Sequence, residues 1–305
     1  GGSRVMRRCR HFSTGLAVAV AAALIAAGCG GNGPSGPTPP PGGGNNQQPP
    51  ANNQPVIESL AIRNARPRAP ANFADVSDPI EVTAQVRDDE TAAAQLQFQW
   101  SATNGAFSGS GATVTWTPDA SAVTPLDVTI TLRLVERYGH PGGPLNWEHV
   151  VSRTASTRLH HSVRELADMS RRFLTEFSKP QTNRDWQDIM RDFKGSACPD
   201  PGEVESERQQ VINHYSNFTM HEFRIGDPVV NVNFGGTCSY ASQRGDACIS
   251  VSTYWDSTDN RNGRRRVTTG IDHLSASYST ADARWWLCSS YLQGVDTFGH
   301  SFYAR

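Results

Sequence analysis

The hydrophobic period of this chain changes once, at His161, and the two periods demand two kinds of packing. Upstream of it, apolar and polar residues alternate in Ile80-Glu81-Val82-Thr83-Ala84-Gln85-Val86, Leu96-Gln97-Phe98-Gln99-Trp100, Thr113-Val114-Thr115-Trp116 and Val128-Thr129-Ile130-Thr131-Leu132. A period of two places every second side chain on one face, so these runs predict half-buried strands of an antiparallel sandwich. Downstream, Ser162 and Glu165 have the spacing of a capping box, and Leu166, Met169, Phe173 and Phe177 fall on one helix face that Pro180 ends. Trp186, Ile189, Met190 and Phe193 mark a second, short helix, and Val204, Val211, Ile212 and Tyr215 a third. Strands follow at Phe218 to Ile225, Val229 to Phe234, Cys248 to Trp255, Val267 to Tyr278 and Arg284 to Leu292. Helices first and a meander second predict an α+β domain with its helices on one face of a curved sheet, so the expectation is a multidomain chain.

Ahead of the first strand the chain cannot build a core. Residues Gly30 to Pro55 contain no aromatic and no charged residue, leaving nothing to offset the entropy of ordering them, and they read as a flexible tether. The apolar run Gly15 to Cys29 follows Met6, Arg7, Arg8 and Arg10 and is shorter than the roughly 20 residues a bilayer span needs, so it reads as a signal peptide starting at Met6. Its end, Ala26-Ala27-Gly28-Cys29, resembles the bacterial lipobox, although Ala26 stands where Leu, Val or Ile is usual. The resemblance implies an acylated Cys29 as the mature N-terminus and the membrane as a partner through that lipid. Gly30 after the cysteine resembles the outer-membrane sorting pattern, which places the protein in the envelope, periplasmic or surface-facing.

Charge and cysteine content apply to what survives processing. Removing the leader takes away Arg4, Arg7, Arg8 and Arg10 and no acidic residue, so the net charge of −1 becomes −5. A mildly acidic protein lacks the electrostatic footprint for nucleic acid. Cys198, Cys238, Cys248 and Cys288 remain, an even set in an exported chain, which predicts two disulfides. Of the three pairings open to four cysteines, Cys238–Cys248 with Cys198–Cys288 joins the nearest pair and ties the helical segment to the last strand.

Two family resemblances add to the pattern. Phe98 to Pro118 (FQWSATNGAFSGSGATVTWTP) resembles the bacterial immunoglobulin-like and polycystic-kidney-disease-repeat-like modules of surface proteins, which implies that Trp100 packs in the core and that Trp116-Thr117-Pro118 ends the returning strand. The module runs over 56–160 and closes with Val150 to Leu159. The order of elements after His161, with the ending ARWWLCSSYL, resembles the nuclear transport factor 2-like superfamily of cystatin-like cones, which includes ketosteroid isomerases and SnoaL-like cyclases. It covers 161–305, after a leader over 1–28 and a tether over 29–55. Enzymes of that superfamily move a proton inside the cone with Asp, His or Tyr. The residue types that qualify here are His214, Tyr215, His221, Asp272, His273 and Tyr278, none of which maps onto an enzyme's motif.

His221, His273, Tyr278 and Trp285 are the pocket candidates, since the two histidines lie on expected strands and the others close the sheet. Trp285 and Trp286 are neighbours on a strand and must point to opposite faces. Asp88-Asp89-Glu90 offers oxygen ligands for Ca²⁺ but only three of the six to eight required, so no metal is assigned, and no cofactor motif is present. The loop Tyr138 to Trp147 reads as a long hairpin connection, and Arg264-Arg265-Arg266 as a solvated hairpin tip. The function expected is that of a non-enzymatic, membrane-anchored envelope lipoprotein whose sandwich presents a head that binds an envelope protein, a glycan or a small apolar ligand. The alternatives are an isomerase, cyclase or dehydratase working in the cone, and an envelope-assembly scaffold. An open polar cone would favour the enzyme and a filled one the binding head.

Overall fold

A computed structural model describes residues 48–176, 179, 186–238, 243–296 and 301–304. The expected leader, Cys29, most of the tether, Phe177 and Pro180, and the side chains of His214 and Tyr215 lie outside the described residues. Residues Pro49–Arg305 belong to one compact unit, built mostly of strands.

Eight strands come first: β1 (Val56–Asn64), β2 (Phe73–Asp75), β3 (Ile80–Arg87), β4 (Gln97–Ala102), β5 (Ala106–Ser108), β6 (Thr113–Thr117), β7 (Leu126–Tyr138) and β8 (Trp147–His160). They form two four-stranded sheets, in the orders β1-β3-β6-β5 and β2-β8-β7-β4. The alternating residues of the sequence supply the layer between them: Ile80, Val82, Val114 and Trp116 from one sheet meet Val128, Ile130 and Leu159 from the other. Trp116 is fully buried and donates its indole N–H to the Asn104 carbonyl at 2.8 Å. Trp100, the tryptophan expected in that core, is only half-buried, with its N–H on the Gly111 carbonyl at 3.0 Å. Among the described residues its strand is the edge of its sheet and pairs there with β7, so its ring covers the rim of the core instead of filling it.

Three helices follow, α1 (Ser162–Glu176), α2 (Trp186–Ile189) and α3 (Pro201–Asn217), and then six strands. These are β9 (Phe218–Ile225), β10 (Val229–Thr237), β11 (Arg244–Asp259), β12 (Arg264–Ser279), β13 (Arg284–Asp296) and β14 (Ser301–Ala304). The sheet order is β10-β11-β12-β13-β14, with β9 pairing the far half of the same long β11 that carries β10. Leu166, Met169, Phe173 and Leu174 of α1 pack on the face formed by Ala247, Ile249, Val251, Leu274, Ala276 and Leu287. The strands β2, β5 and β14 escape the alternation argument, because three or four residues are too few to display a period.

The α1 terminus departs from the capping box. Ser162 does not cap the helix with its own hydroxyl; its N–H and hydroxyl both donate to the Asp75 carboxylate, the N–H at 2.9 Å. The other Asp75 oxygen accepts the Ser77 N–H and hydroxyl at 3.0 and 2.7 Å. Burial alone would raise the Asp75 pKa, but these four bonds outweigh it and hold the carboxyl below the usual range. A negative charge at a helix N-terminus is also favoured by the helix dipole. Glu165 keeps the second half of the box, accepting the His161 N–H at 2.9 Å. Strand β2 of the first half thus supplies the helix cap of the second.

Beside Asp75 the seam is aromatic. Phe73, with no exposed surface, packs edge-on to Phe234, Tyr278 and Trp285 at ring distances of 4.8, 4.9 and 6.1 Å. At Gly235, whose φ of +60° favours glycine, β10 bulges and offers its carbonyl to Arg68 at 3.0 Å. Two disulfides complete the second half, Cys198–Cys288 and Cys238–Cys248, in the pairing expected from the sequence. The first closes a separation of 90 residues and ties the segment before α3 to β13, so the chain-entropy model gives it the larger stabilisation, about 4 to 5 kcal/mol. Because Phe73 belongs to the first half by sequence and to the second by contact, Phe73→Ala should cost about 3 to 5 kcal/mol in urea unfolding. It should abolish the near-ultraviolet signature of Trp285 as well; a loss below about 1 kcal/mol contradicts the seam.

Candidate functional site

Among the described residues, large apolar and aromatic side chains pack between α1 and the six-stranded sheet. Trp285 is 1% exposed, and Phe234 stacks on it at 5.7 Å while Tyr278 meets it edge-on at 5.4 Å. Tyr278 and Trp285 therefore come together as expected, but as packing. The Tyr278 hydroxyl meets Nε2 of the fully buried His160 at 3.2 Å, and His160 Nδ1 meets Glu165 at 2.8 Å. Burial pushes the tyrosine pKa up to about 12, so its hydroxyl stays protonated and serves as a hydrogen-bonding group. Glu165 is held below the usual carboxylate range: burial raises it, and the His160 bond and charge with the His161 N–H pull it further down.

Neither histidine candidate reaches this layer. His273 shares its strand face with Ile271 and Ser275, as the alternation requires, and that is the face away from Leu274 and Ala276 of the core. Its Nδ1 lies 3.1 Å from Ser250 Oγ, and burial holds the imidazole below its ordinary value. His221 is exposed at the irregularity where β9 meets β11, with Nε2 2.7 Å from Thr258 Oγ1. The alternation supplied the correct face for His273 but not which face the helices would cover. Trp286, as expected, points opposite to Trp285; Arg284 lies over its ring at 3.9 Å and Asp282 accepts its N–H at 3.0 Å.

The acidic run Asp88-Asp89-Glu90 does not converge. Asp88 accepts the backbone N–H groups of Glu90 and Thr91, Asp89 pairs with Arg87 at 2.8 Å, and Glu90 accepts from Asn53 at 2.5 Å. Among the described residues no three His, Cys, Asp or Glu side chains gather as a metal site.

Two acids with raised pKa values lie together elsewhere, where α3 packs on β13. Over its described residues β14 pairs with Leu292 to Val295, and the Ser290 N–H donates to the Glu207 carboxylate of α3 at 3.2 Å. Ser290 Oγ donates to Asp272 of β12 at 2.8 Å, so a single serine holds two carboxyls that are only 7% and 2% exposed. Burial pushes Glu207 up to about 8, with the charges of Asp272 and Glu203 adding to the rise, and burial pushes Asp272 up to about 6. A cleft of about 80 Å³ opens beside them, lined by Glu203, Glu207, Gln243, Ser289, Ser290 and Tyr291 among others. Asp272 was among the residue types read as candidates; Glu207 escaped notice because it sits on α3 amid other polar residues, with no periodic signal of burial.

Protein-family models, curated proteins and solved structures were compared with the chain, and none matches it. The site therefore rests on its own geometry.

Because the folded protein holds the Glu207 proton up to about pH 8 and an unfolded carboxylate releases it near 4.5, stability is fully present below about 4.5 and falls as pH rises toward 8. Asp272 adds to the same slope between its ordinary value and about 6. Urea midpoints measured from pH 4.5 to 8.5 should decline, and Glu207→Gln, which keeps an acceptor for Ser290, should flatten the part above pH 6. An unchanged slope in that variant contradicts the assignment.

Proposed function

We propose that this chain is a non-enzymatic envelope lipoprotein, held to the membrane through Cys29 on the Gly30 to Pro55 tether, in which an immunoglobulin-like module over 56–160 presents a nuclear transport factor 2-like α+β head over 161–305. The observation that supports the reading is the aromatic cluster packed among the described residues of the head. Proton transfer in such a head needs an ionisable base about 3 Å from substrate, with a donor for the developing negative charge, in an accessible pocket. Here that volume is taken by Phe73, Phe234, Tyr278 and Trp285, and His221 and His273 lie apart from it and from each other. The binding surface is then external. The two disulfides support export, since such bonds persist in oxidising compartments.

The tethered reading also gives the seam a purpose. A head joined to its spacer by Phe73, Asp75 and Arg68 is displayed at a fixed angle, so tether length alone sets its reach. The partner class this favours is an envelope protein or glycan met at a distance from the bilayer.

Expressed as the full chain in a Gram-negative host, the protein should fractionate with membranes, and Cys29→Ala should move it to the soluble fraction. Retention of that variant in the detergent-extracted membrane fraction overturns the anchor. In a broad isomerase, dehydratase and hydrolase screen the intact chain should show no turnover; robust turnover lost in His221→Ala or His273→Ala overturns the non-enzymatic reading.

A further inference from the structure

Between β7 and β8 the chain turns through Gly139-His140-Pro141-Gly142-Gly143-Pro144-Leu145-Asn146 before Trp147 restarts the sheet. No Asp, Glu, Lys or Arg stands anywhere from Tyr138 to Trp147. Leu145 is 63% exposed. The base of the turn is aromatic: Trp147 lies 6.3 Å from the Tyr138 ring and edge-on to His140 at 5.3 Å, and Tyr138 lies 4.6 Å from His149. Tyr138 and Trp147 are half-buried and His140 is exposed, so each ring keeps a free edge. A single exposed leucine is ordinary on any protein, but one carried on a turn free of charge with tryptophan and tyrosine at its base has the composition that a membrane interface selects.

The position of the turn decides what it meets. Asn52 Nδ2 lies 3.5 Å from His149 Nδ1, Gln54 donates to the Val150 carbonyl at 3.3 Å, and the Ile57 carbonyl accepts from Arg153 at 2.7 Å. The chain into β1 and the start of β8 thus advance in the same direction, and the residues ahead of β1 leave the sandwich at its Trp147 end. Helix α1 begins after the opposite end of β8, 14 residues or about 45 Å of strand away.

We propose that this turn seats the protein on the bilayer surface, with Leu145 and the free edges of Trp147 and Tyr138 in the headgroup zone. Its orientation rests on the lipoprotein reading, in which Gly30 to Gln48 are all of the chain between the acylated Cys29 and this end of the sandwich. A coil of about 20 residues averages about 25 Å between its ends, less than the length of β8, so it favours the Trp147 end over the head as the part that meets lipid. The tether then sets the furthest reach of the head and the turn its height at rest.

The charges at this end decide the kind of attraction. Arg137 and Glu148, which flank the turn, are exposed and of opposite sign; Glu90 accepts from Asn53, and Asp89 pairs with Arg87 at 2.8 Å. No excess of positive charge faces the lipid, so the turn is held by apolar burial, which salt does not screen. One leucine and two half-buried rings give a weak, reversible contact that adds to the lipid on Cys29 without replacing it, and loss of the lipid still releases the protein.

The test uses the full chain from residue 29 onward with Cys29→Ala, so that no acyl chain contributes, and sucrose-loaded vesicles of phosphatidylcholine and phosphatidylethanolamine. The protein should sediment with vesicles at millimolar lipid, with a partition coefficient that changes less than about twofold up to about 0.5 M sodium chloride. Leu145→Glu, at an exposed position that leaves the thermal midpoint in place, should lower the coefficient at least about tenfold, and Leu145→Trp should raise it. An absence of partitioning, partitioning that requires phosphatidylglycerol or is lost in salt, or an equal coefficient for Leu145→Glu overturns the proposal. Failure of the anchor reads out elsewhere, as membrane retention of Cys29→Ala in cells, while the vesicle result turns on Leu145 alone.

Discussion

Phe73 and Asp75, two residues apart on a strand of three, hold the fold together. Their alternation sends Phe73 and Asp75 to the same side, where one fills the aromatic cluster around Trp285 and the other accepts the N–H and hydroxyl that begin α1. A buried carboxylate is costly unless every lone pair is used, and Asp75 meets that condition with four donors from Ser77 and Ser162. The Ser162 hydroxyl in turn accepts the Trp285 indole N–H at 3.1 Å, so the cap and the core share one network. Breaking the network leaves several buried polar groups unpaired at once, which is why the two halves are expected to hold or fail together.

Outside that network, other polar groups lie on the outer face of the sheet and at its edges. Polar groups on the sheet either find partners in the outer face, as His273 and Ser250 do, or collect where a strand edge outruns its neighbour. Ser290 is such a place: its N–H donates to the Glu207 carboxylate of α3. The acidic cleft lies beside this pair. A second cleft, of about 310 Å³, lies beside the seam between Arg158, Glu165 and Asp168; two of its arginines, Arg172 and Arg284, are already taken by Asp192 at 2.9 and 3.2 Å.

Much of this was legible in the sequence. Runs of period two gave the long strands within a few residues, and the switch at His161 gave the start of α1, because burial of one face leaves a mark over seven or more positions. Cysteine parity and nearness gave both disulfides. What escaped did so for physical reasons. Strand β2 is too short to show a period, yet it joins the halves; the hydroxyl of Ser162 had a better acceptor in tertiary contact than at its own helix end. Trp100 matched a core tryptophan by motif but sits on an edge strand, so Trp116 took the buried place. His221 and His273 were placed on their strands correctly, while the face covered by helices depended on sheet curvature that no local pattern encodes. Glu207 gave no signal, because a buried polar residue on a polar helix is defined by its partner alone.

Native-state hydrogen exchange tests most directly whether the two halves form one cooperative structure. The slowest amides of β7 and β8 and those of β11 and β12 should exchange with a common free energy and a common denaturant dependence, as expected for a single unfolding unit joined through Phe73 and Asp75. If β11 and β12 lose protection at a lower free energy while β7 and β8 remain protected, the halves are separable and the seam does not govern the fold.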